Sequence, residues 1–271
     1  MRQVLMIVFG ALCVFWGVHM TSSHHLARAA ITPVEDLDPV HADQGTTAED
    51  ETVLSGDGFD PFEGEDQEEV TRVPDPIYHW NKAMYHFNDK FYFWVLKPVA
   101  RAYGWTVPEA ARRGVRNFFH NLRFPIRFLN CLVQAKGGAA GEELGRFLVN
   151  TTAGILGFGD PAKRSLDLSP QEEDLGQSLG RWGLGNGFYV LWPLLGPSTL
   201  RDSMGLLGDS FVDPVSYVKP AKASVAIEVY DVVNWTSLEI GEYEAFKKAA
   251  IDPYVALRDA YIQNREQQVL D

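Results

Sequence analysis

Apolar residues crowd the first stretch of the chain, thin out and lose any period through residues 30 to 74, and return at helical intervals from Asp75 onward. In the first stretch, Arg2 precedes the uncharged run "VLMIVFGALCVFWGV" and Ala27-Arg28-Ala29 offers a small-x-small cleavage site. Residues 1–29 therefore read as a signal peptide, with retention as an uncleaved anchor the alternative. In "DPIYHWNKAMYHFNDKFYFWVLKPVARAYGW", Trp80, Met84, Phe87, Phe91 and Trp94 recur at spacings of 4, 3, 4 and 3, which predicts an amphipathic helix. A single stripe of this kind usually faces a core. Tyr78, Tyr85, Tyr92 and Phe93 fall on the other faces, so the helix needs burial on several sides or contact with lipid.

Further helices follow from the same period. Thr106 and Glu109 have capping-box spacing, with Pro108 between them and Ala111, Val115, Phe118, Phe119 and Leu122 beyond. Pro125 opens a short helix through Ile126, Leu129, Leu132 and Val133, which Gly137-Gly138 should end. A helix over 140–152 places Leu144, Phe147 and Leu148 on one side, Ser169 to Glu172 form a second capping box, and 221–237 and 253–266 close the set. No run of alternating strands and no internal repeat is present, so the fold class is mainly α. One segment fits no helix: "LGRWGLGNGFYVLWPLLGPSTLRD", 179–202, alternates Gly183, Gly185 and Gly187, then runs apolar to a break at Pro193, Gly196 and Pro197.

Charge sharpens the domain boundary. The net charge is -12, but fifteen of the 36 acidic residues lie between Glu35 and Asp75, where Arg72 is the only base. Residues 30–74 are accordingly expected to be a disordered acidic linker, and 75–271 an electrically balanced folded domain. Of the two cysteines, Cys13 follows Leu12 inside the apolar run, a poor setting for lipidation, and Cys131 alone would remain in a mature chain, so no internal disulfide forms.

The search for catalytic chemistry finds little. There is no G-x-S-x-G elbow, H-E-x-x-H, C-x-x-C or P-loop. His79 and His86 are two turns apart, too far to share a metal as an i, i+4 pair. Glu172, Glu173 and Asp174 are expected in the first turn of a helix, where acids offset its dipole. The Gly183–Gly187 pattern lacks the strand and helix that a dinucleotide loop needs. Arg112, Arg116, Arg123 and Arg127 would fall near one face of collinear helices, a rim suited to phospholipid headgroups or an acidic protein, unless nearby acids pair with them.

Five blocks carry a resemblance. "DPIYHWNKAMYHFND" (75–89), "VRNFFHNLRFPIRFLNCLVQ" (115–134), "RFLVNTTAGILGFGDPA" (146–162), "EDLGQSLGRWGLGNGFYVLWPLLGPSTLRDSMG" (173–205) and "DPYVALRDAYIQNR" (252–265) together resemble the MlaA (VacJ) family. The resemblance implies a single ring-like helical domain embedded in the periplasmic leaflet of the Gram-negative outer membrane, with a short hairpin or loop near an amphipathic pore. It implies a conduit that is not an enzyme, uses no cofactor and no nucleic acid, and removes mislocalised phospholipid from the outer leaflet. The partners it implies are an outer-membrane porin trimer and a soluble periplasmic lipid carrier (MlaC-like). On that footing Phe87 and Asn88, with Gly183, Gly185, Gly187, Phe188, Tyr189, Trp192, Leu194, Leu195, Gly196 and Pro197, are candidates for the gate or wall of the lipid path. The competing expectation is a membrane-associated periplasmic scaffold or adhesin without a pore. This chain departs from the family in its long acidic linker and in the setting of Cys13.

Overall fold

Helix α1 (Tyr78–Phe91) continues through a wide π-helical stretch, Tyr92–Leu96, into α2 (Lys97–Thr106). The computed structural model describes residues 73–271, so the expected signal peptide and all but the end of the expected linker lie outside the described residues. Val73 and Pro74, assigned to the linker from composition, are part of the fold. Val73 packs into the core, and the Pro74 carbonyl accepts from the Tyr189 N–H at 3.0 Å.

The chain then forms α3 (Glu109–Leu122), α4 (Phe124–Val133), α5 (Gly137–Thr152), α6 (Pro161–Leu166) and α7 (Leu175–Arg181). A hairpin of β1 (Tyr189–Trp192) and β2 (Gly196–Thr199) follows, then α8 (Leu200–Asp209), a short 3-10 turn (Pro214–Tyr217), α9 (Ala221–Leu238), α10 (Glu242–Ala249) and α11 (Pro253–Leu270). The domain is mainly α with one short hairpin. α4 packs on α5, α7 on α8, α9 against α2 and α3, and β1 lies along α1. An aromatic cluster of Tyr85, Tyr189, Tyr254 and Tyr261 with Leu191 and Ile262 joins α1, the hairpin and α11.

Two expected capping boxes do not form. Thr106 is the last residue of α2, and its hydroxyl donates back to the Tyr103 carbonyl at 3.0 Å, so α3 starts after Pro108 without a side-chain cap. Ser169–Glu172 lies outside any helix; Asp174 caps α7 instead, accepting from the Gln177 N–H at 2.8 Å. Gly137 and Gly138 open α5 rather than end α4.

Candidate functional site

The helical stripes read from the sequence are real, but several of their members face outward, while Ile126 and Phe119 are buried and Met84 and Phe91 pack against core residues. On α1 the buried positions are Asn81 and Tyr85, whereas Trp80 and Phe87 are exposed; Trp94, in the π stretch, is 74% exposed. On α4 the buried face holds Arg127 and Asn130 together with Ile126 and Cys131, with Gln134 buried just past its end, while Leu129, Leu132 and Val133 point out. On α5 Glu143, Arg146 and Asn150 are inside, and Leu144 and Leu148 outside. Along α8 and just beyond it, Leu200, Met204, Leu207 and Phe211 form an exposed stripe at spacings of 4, 3 and 4, opposite buried Arg201, Asp202 and Asp209. Between α5 and α6 the backbone passes through three left-handed residues, Ile155, Leu156 and Gly157, and turns Ile155 and Leu156 outward. A water-soluble domain places polar residues outside; here four helical segments do the reverse.

The interior is held by paired charge. Arg127 Nε donates to Glu143 Oε2 at 2.9 Å, and Arg146 pairs with Asp160 at 3.2 Å. Arg123, on the α3–α4 junction, bridges Glu228 at 3.2 Å and Asp231 at 2.7 Å on α9. Arg265 of α11 reaches both Asp174 at 2.7 Å and Asp202 at 3.0 Å. Each charge is then compensated in surroundings where an isolated one would be very costly. The arginine rim expected from the sequence is corrected by this geometry. Arg123 and Arg127 are buried in ion pairs, and Arg112 donates to the Ser237 carbonyl at 2.7 Å and to the Ser237 hydroxyl at 3.0 Å. Arg116, half-buried and paired with Glu239 at 3.1 Å, is the one nearest to the surface.

Glu228 carries a testable signature. Burial pushes its carboxyl up, and Asp213 and Asp231 add to the rise against the pull of Arg123, leaving it at about 7 rather than the ordinary 4.5. The folded state therefore holds a proton that the unfolded chain has lost, and this group makes stability fall as pH rises from about 4.5 to about 7. Denaturant titrations at pH 5 and pH 8 are expected to show a smaller fall in Glu228→Gln than in the unsubstituted chain; equal falls would remove Glu228 as the source.

The hairpin is attached to α1 by two asparagines seven residues apart, on the side opposite the apolar stripe. Asn81 donates to the Tyr189 carbonyl at 3.0 Å and accepts from the Leu191 N–H at 2.8 Å. Asn88 donates to the Trp192 carbonyl at 2.9 Å and accepts from the Leu194 N–H at 2.7 Å, at the turn itself. The structure thus brings Asn88 together with Trp192 and Leu194, as grouped from the sequence, while Asn81 was overlooked. Its signal was present in the seven-residue spacing of the two amides. Phe87 faces outward, stacked on Phe91 at 6.4 Å.

The remaining candidates divide. Tyr189 and Leu195 are buried, and Tyr189 packs in the core among Tyr254 and Tyr261. Phe188, Trp192 and Leu194 are half-buried, and Gly196 and Pro197 start β2, with Pro197 opposite Leu191. Of the three alternating glycines, Gly187 is the one in close approach, where a Cβ would meet Leu200 Cβ at 2.9 Å; Gly183 and Gly185 border open space. His120, the histidine nearest to carboxylates, pairs with Glu172 Oε1 at 3.0 Å, while His79 and His86 are exposed.

The model of the MlaA lipoprotein family matches residues 73–268, all but three of the described residues. The chain belongs to the MlaA lipoprotein family. It is 31% identical over 195 residues to the intermembrane phospholipid transport system lipoprotein MlaA of Escherichia coli K12, covering 71% of this chain and 77% of that one. The MlaA of Haemophilus influenzae is 29% identical over 217 residues, covering 76% of this chain and 83% of its own length. A solved chain reported under "Structural basis for maintenance of bacterial outer membrane lipid asymmetry" superposes with a TM-score of 0.61 at 29% identity, over 72% of this chain and 99% of that one. The first residue matched by the MlaA model is Val73, whose side chain packs into the core.

Proposed function

We propose that this chain is a non-enzymatic phospholipid conduit seated in the periplasmic leaflet of the Gram-negative outer membrane. It takes mislocalised phospholipid from the outer leaflet and passes it to a soluble periplasmic carrier, beside a porin trimer. The observation that carries the reading is the outward-facing apolar residues of α1, α4, α5 and α8, with ion pairs on the buried side of α4, α5 and α8. Such a surface is stable against lipid tails and costly against water. Among the described residues no helix is long and apolar enough to cross a membrane, which suits a body sunk part of the way into one leaflet. The names of the MlaA relatives supply the cargo class.

The physical task fits a passive device. Exposing acyl tails to water costs about 0.8 kcal/mol per CH₂, so a protein that keeps tails against apolar walls lowers the barrier without supplying energy. Direction then comes from the lipid gradient and from whatever removes the product. The deciding measurement is the amount of phospholipid in the outer leaflet of cells with and without the protein. A rise on its loss is expected; no change would leave a scaffold without a transport role.

The membrane seat has its own test. Leu207→Asp alters a side chain that is already exposed, so folding stability should change by no more than about 0.5 kcal/mol. Its association with phosphatidylcholine vesicles is expected to weaken by about tenfold or more, because a carboxylate is costly against hydrocarbon. Unchanged flotation with vesicles would mean that the α8 stripe meets something other than lipid.

A further inference from the structure

Phe93, Lys97, Arg101 and Trp105 are spaced by four along the helix that joins the π stretch to α2. With Pro98 and Ala102 they line an open groove of about 380 Å³. The column reads aromatic, cation, cation, aromatic. Lys97 lies over the Phe93 ring at 5.3 Å and is paired with Glu244 of α10. Arg101 is exposed, and among the described residues no carboxylate stands within ion-pair distance of it. Glu244 is the acid beside the groove, and it is already engaged by Lys97, by the Tyr92 hydroxyl at 3.1 Å and by the Gly241 N–H at 3.0 Å. Next to the groove Trp94, Val95 and Val99 face outward, and Trp105 is 82% exposed.

We propose that this groove is a headgroup subsite for an anionic phospholipid. The phosphate sits against Arg101 and Lys97, and the acyl chains run along Trp94, Val95 and Val99. A groove of this size holds a phosphate with its glycerol but not two acyl chains as well, so the tails must lie on the apolar surface outside it. Trp105 and Trp94 suit that position, since indole rings favour the boundary between headgroups and tails. Anionic lipid is preferred over zwitterionic because, among the described residues, Arg101 has no ion-pair partner and the acid beside the groove, Glu244, is already engaged. The site rests on the membrane-seated reading above and adds to it a place and a headgroup class. It is lined by residues of the π stretch and α2 and by none of the hairpin.

The test uses the full chain in detergent, with retained dioleoyl phosphatidylglycerol and dioleoyl phosphatidylcholine counted by native mass spectrometry. The unsubstituted chain is expected to favour phosphatidylglycerol by about fivefold, a preference that Arg101→Gln abolishes and Arg113→Gln, on another helix, preserves. Because Arg101 is exposed and has no ion-pair partner among the described residues, its variant should melt at the unsubstituted temperature, so a lost preference is not a folding defect. Persistence of the preference in Arg101→Gln overturns the proposal. So does competition by glycerol phosphate at the same concentration as phosphatidylglycerol, which would mark a site for small anions. Flotation with phosphatidylcholine vesicles separates this from the larger reading. A chain that floats but shows no headgroup preference loses only the subsite, and one that keeps the preference but does not float loses only the membrane seat.

Discussion

Arg265→Met is expected to destabilise the folded domain by about 3–5 kcal/mol, the cost of leaving buried carboxylates without their cation. Arg265 is 1% exposed. Its two terminal nitrogens donate to Asp174 at 2.7 and 2.9 Å, and Nη2 and Nε donate to Asp202 at 3.0 and 3.2 Å. Asp202 also accepts from the Tyr261 hydroxyl at 2.7 Å and pairs with Arg201 at 3.0 Å, so α7, α8 and α11 meet on one guanidinium. Burial alone would push the Asp202 carboxyl up. The charge and hydrogen bonds of Arg265, with help from Arg201 and Tyr261, outweigh burial and hold it below the usual carboxylate range. A depressed acid contributes stability that is present above its unfolded value near 4 and is lost as pH falls through that value and below. The unsubstituted domain should therefore lose stability on acidification, and Arg265→Met should lose less, because its Asp202 keeps only Arg201 as a cation and is less depressed. Arg265→Lys is expected to recover only part of the loss, since an ammonium cannot serve two carboxylates as a planar fork does. Denaturant titration in detergent measures all three. A loss below 1 kcal/mol in Arg265→Met would mean that the carboxylates reach water in the folded state.

How much of this was legible depended on the range of the interactions involved. The last helices were expected at 221–237 and 253–266 and are found at Ala221–Leu238 and Pro253–Leu270, because helix period and Pro or Asp near the start are local signals. The break at Pro193 and Gly196 likewise marked the hairpin turn. The direction of each stripe was not local. On α5, Leu144 and Leu148 look like a core face until Arg146 and Glu143 find Asp160 and Arg127, and only then does the polar side become the inside. Arg265 and Asp174 are 91 residues apart, and no spacing rule connects them. The arginine rim failed for the same reason. A sequence shows that arginines share a face, whereas the acids of α5 and α9 decide whether that face meets solvent. The aromatics on all sides of α1 and the π stretch divide in the structure, where Tyr85 and Tyr92 are buried while Trp80 and Trp94 are not.

Asn88→Ala is expected to change the phospholipid content of the outer leaflet severalfold while leaving the protein folded and present at normal amounts. The substitution removes the two hydrogen bonds at the hairpin turn, at a cost of about 1–2 kcal/mol. It also frees Leu194, which holds a left-handed backbone at φ 64, a strained state for a residue with a Cβ. The strands below the turn stay in place, because Asn81 still clips Tyr189 and Leu191 and Tyr189 is packed among tyrosines. Only the tip of the hairpin, with Trp192 and Leu194, gains freedom, which is the motion a gate needs. Asn81→Ala is the contrasting variant. It leaves a buried carbonyl and N–H without partners, costs about 2–5 kcal/mol, and should lower the amount of folded protein. Deleting Phe87 and Asn88 together is a blunter change. Losing two residues turns the rest of the helix by about 200°, which carries Tyr92 and Leu96 off the buried side. Surface phospholipid is therefore best compared between Asn88→Ala and the unsubstituted chain at matched protein levels. A severalfold difference places the gate at the junction of α1 with the hairpin turn. An unchanged surface would make that junction a structural joint and send the lipid path elsewhere in the domain.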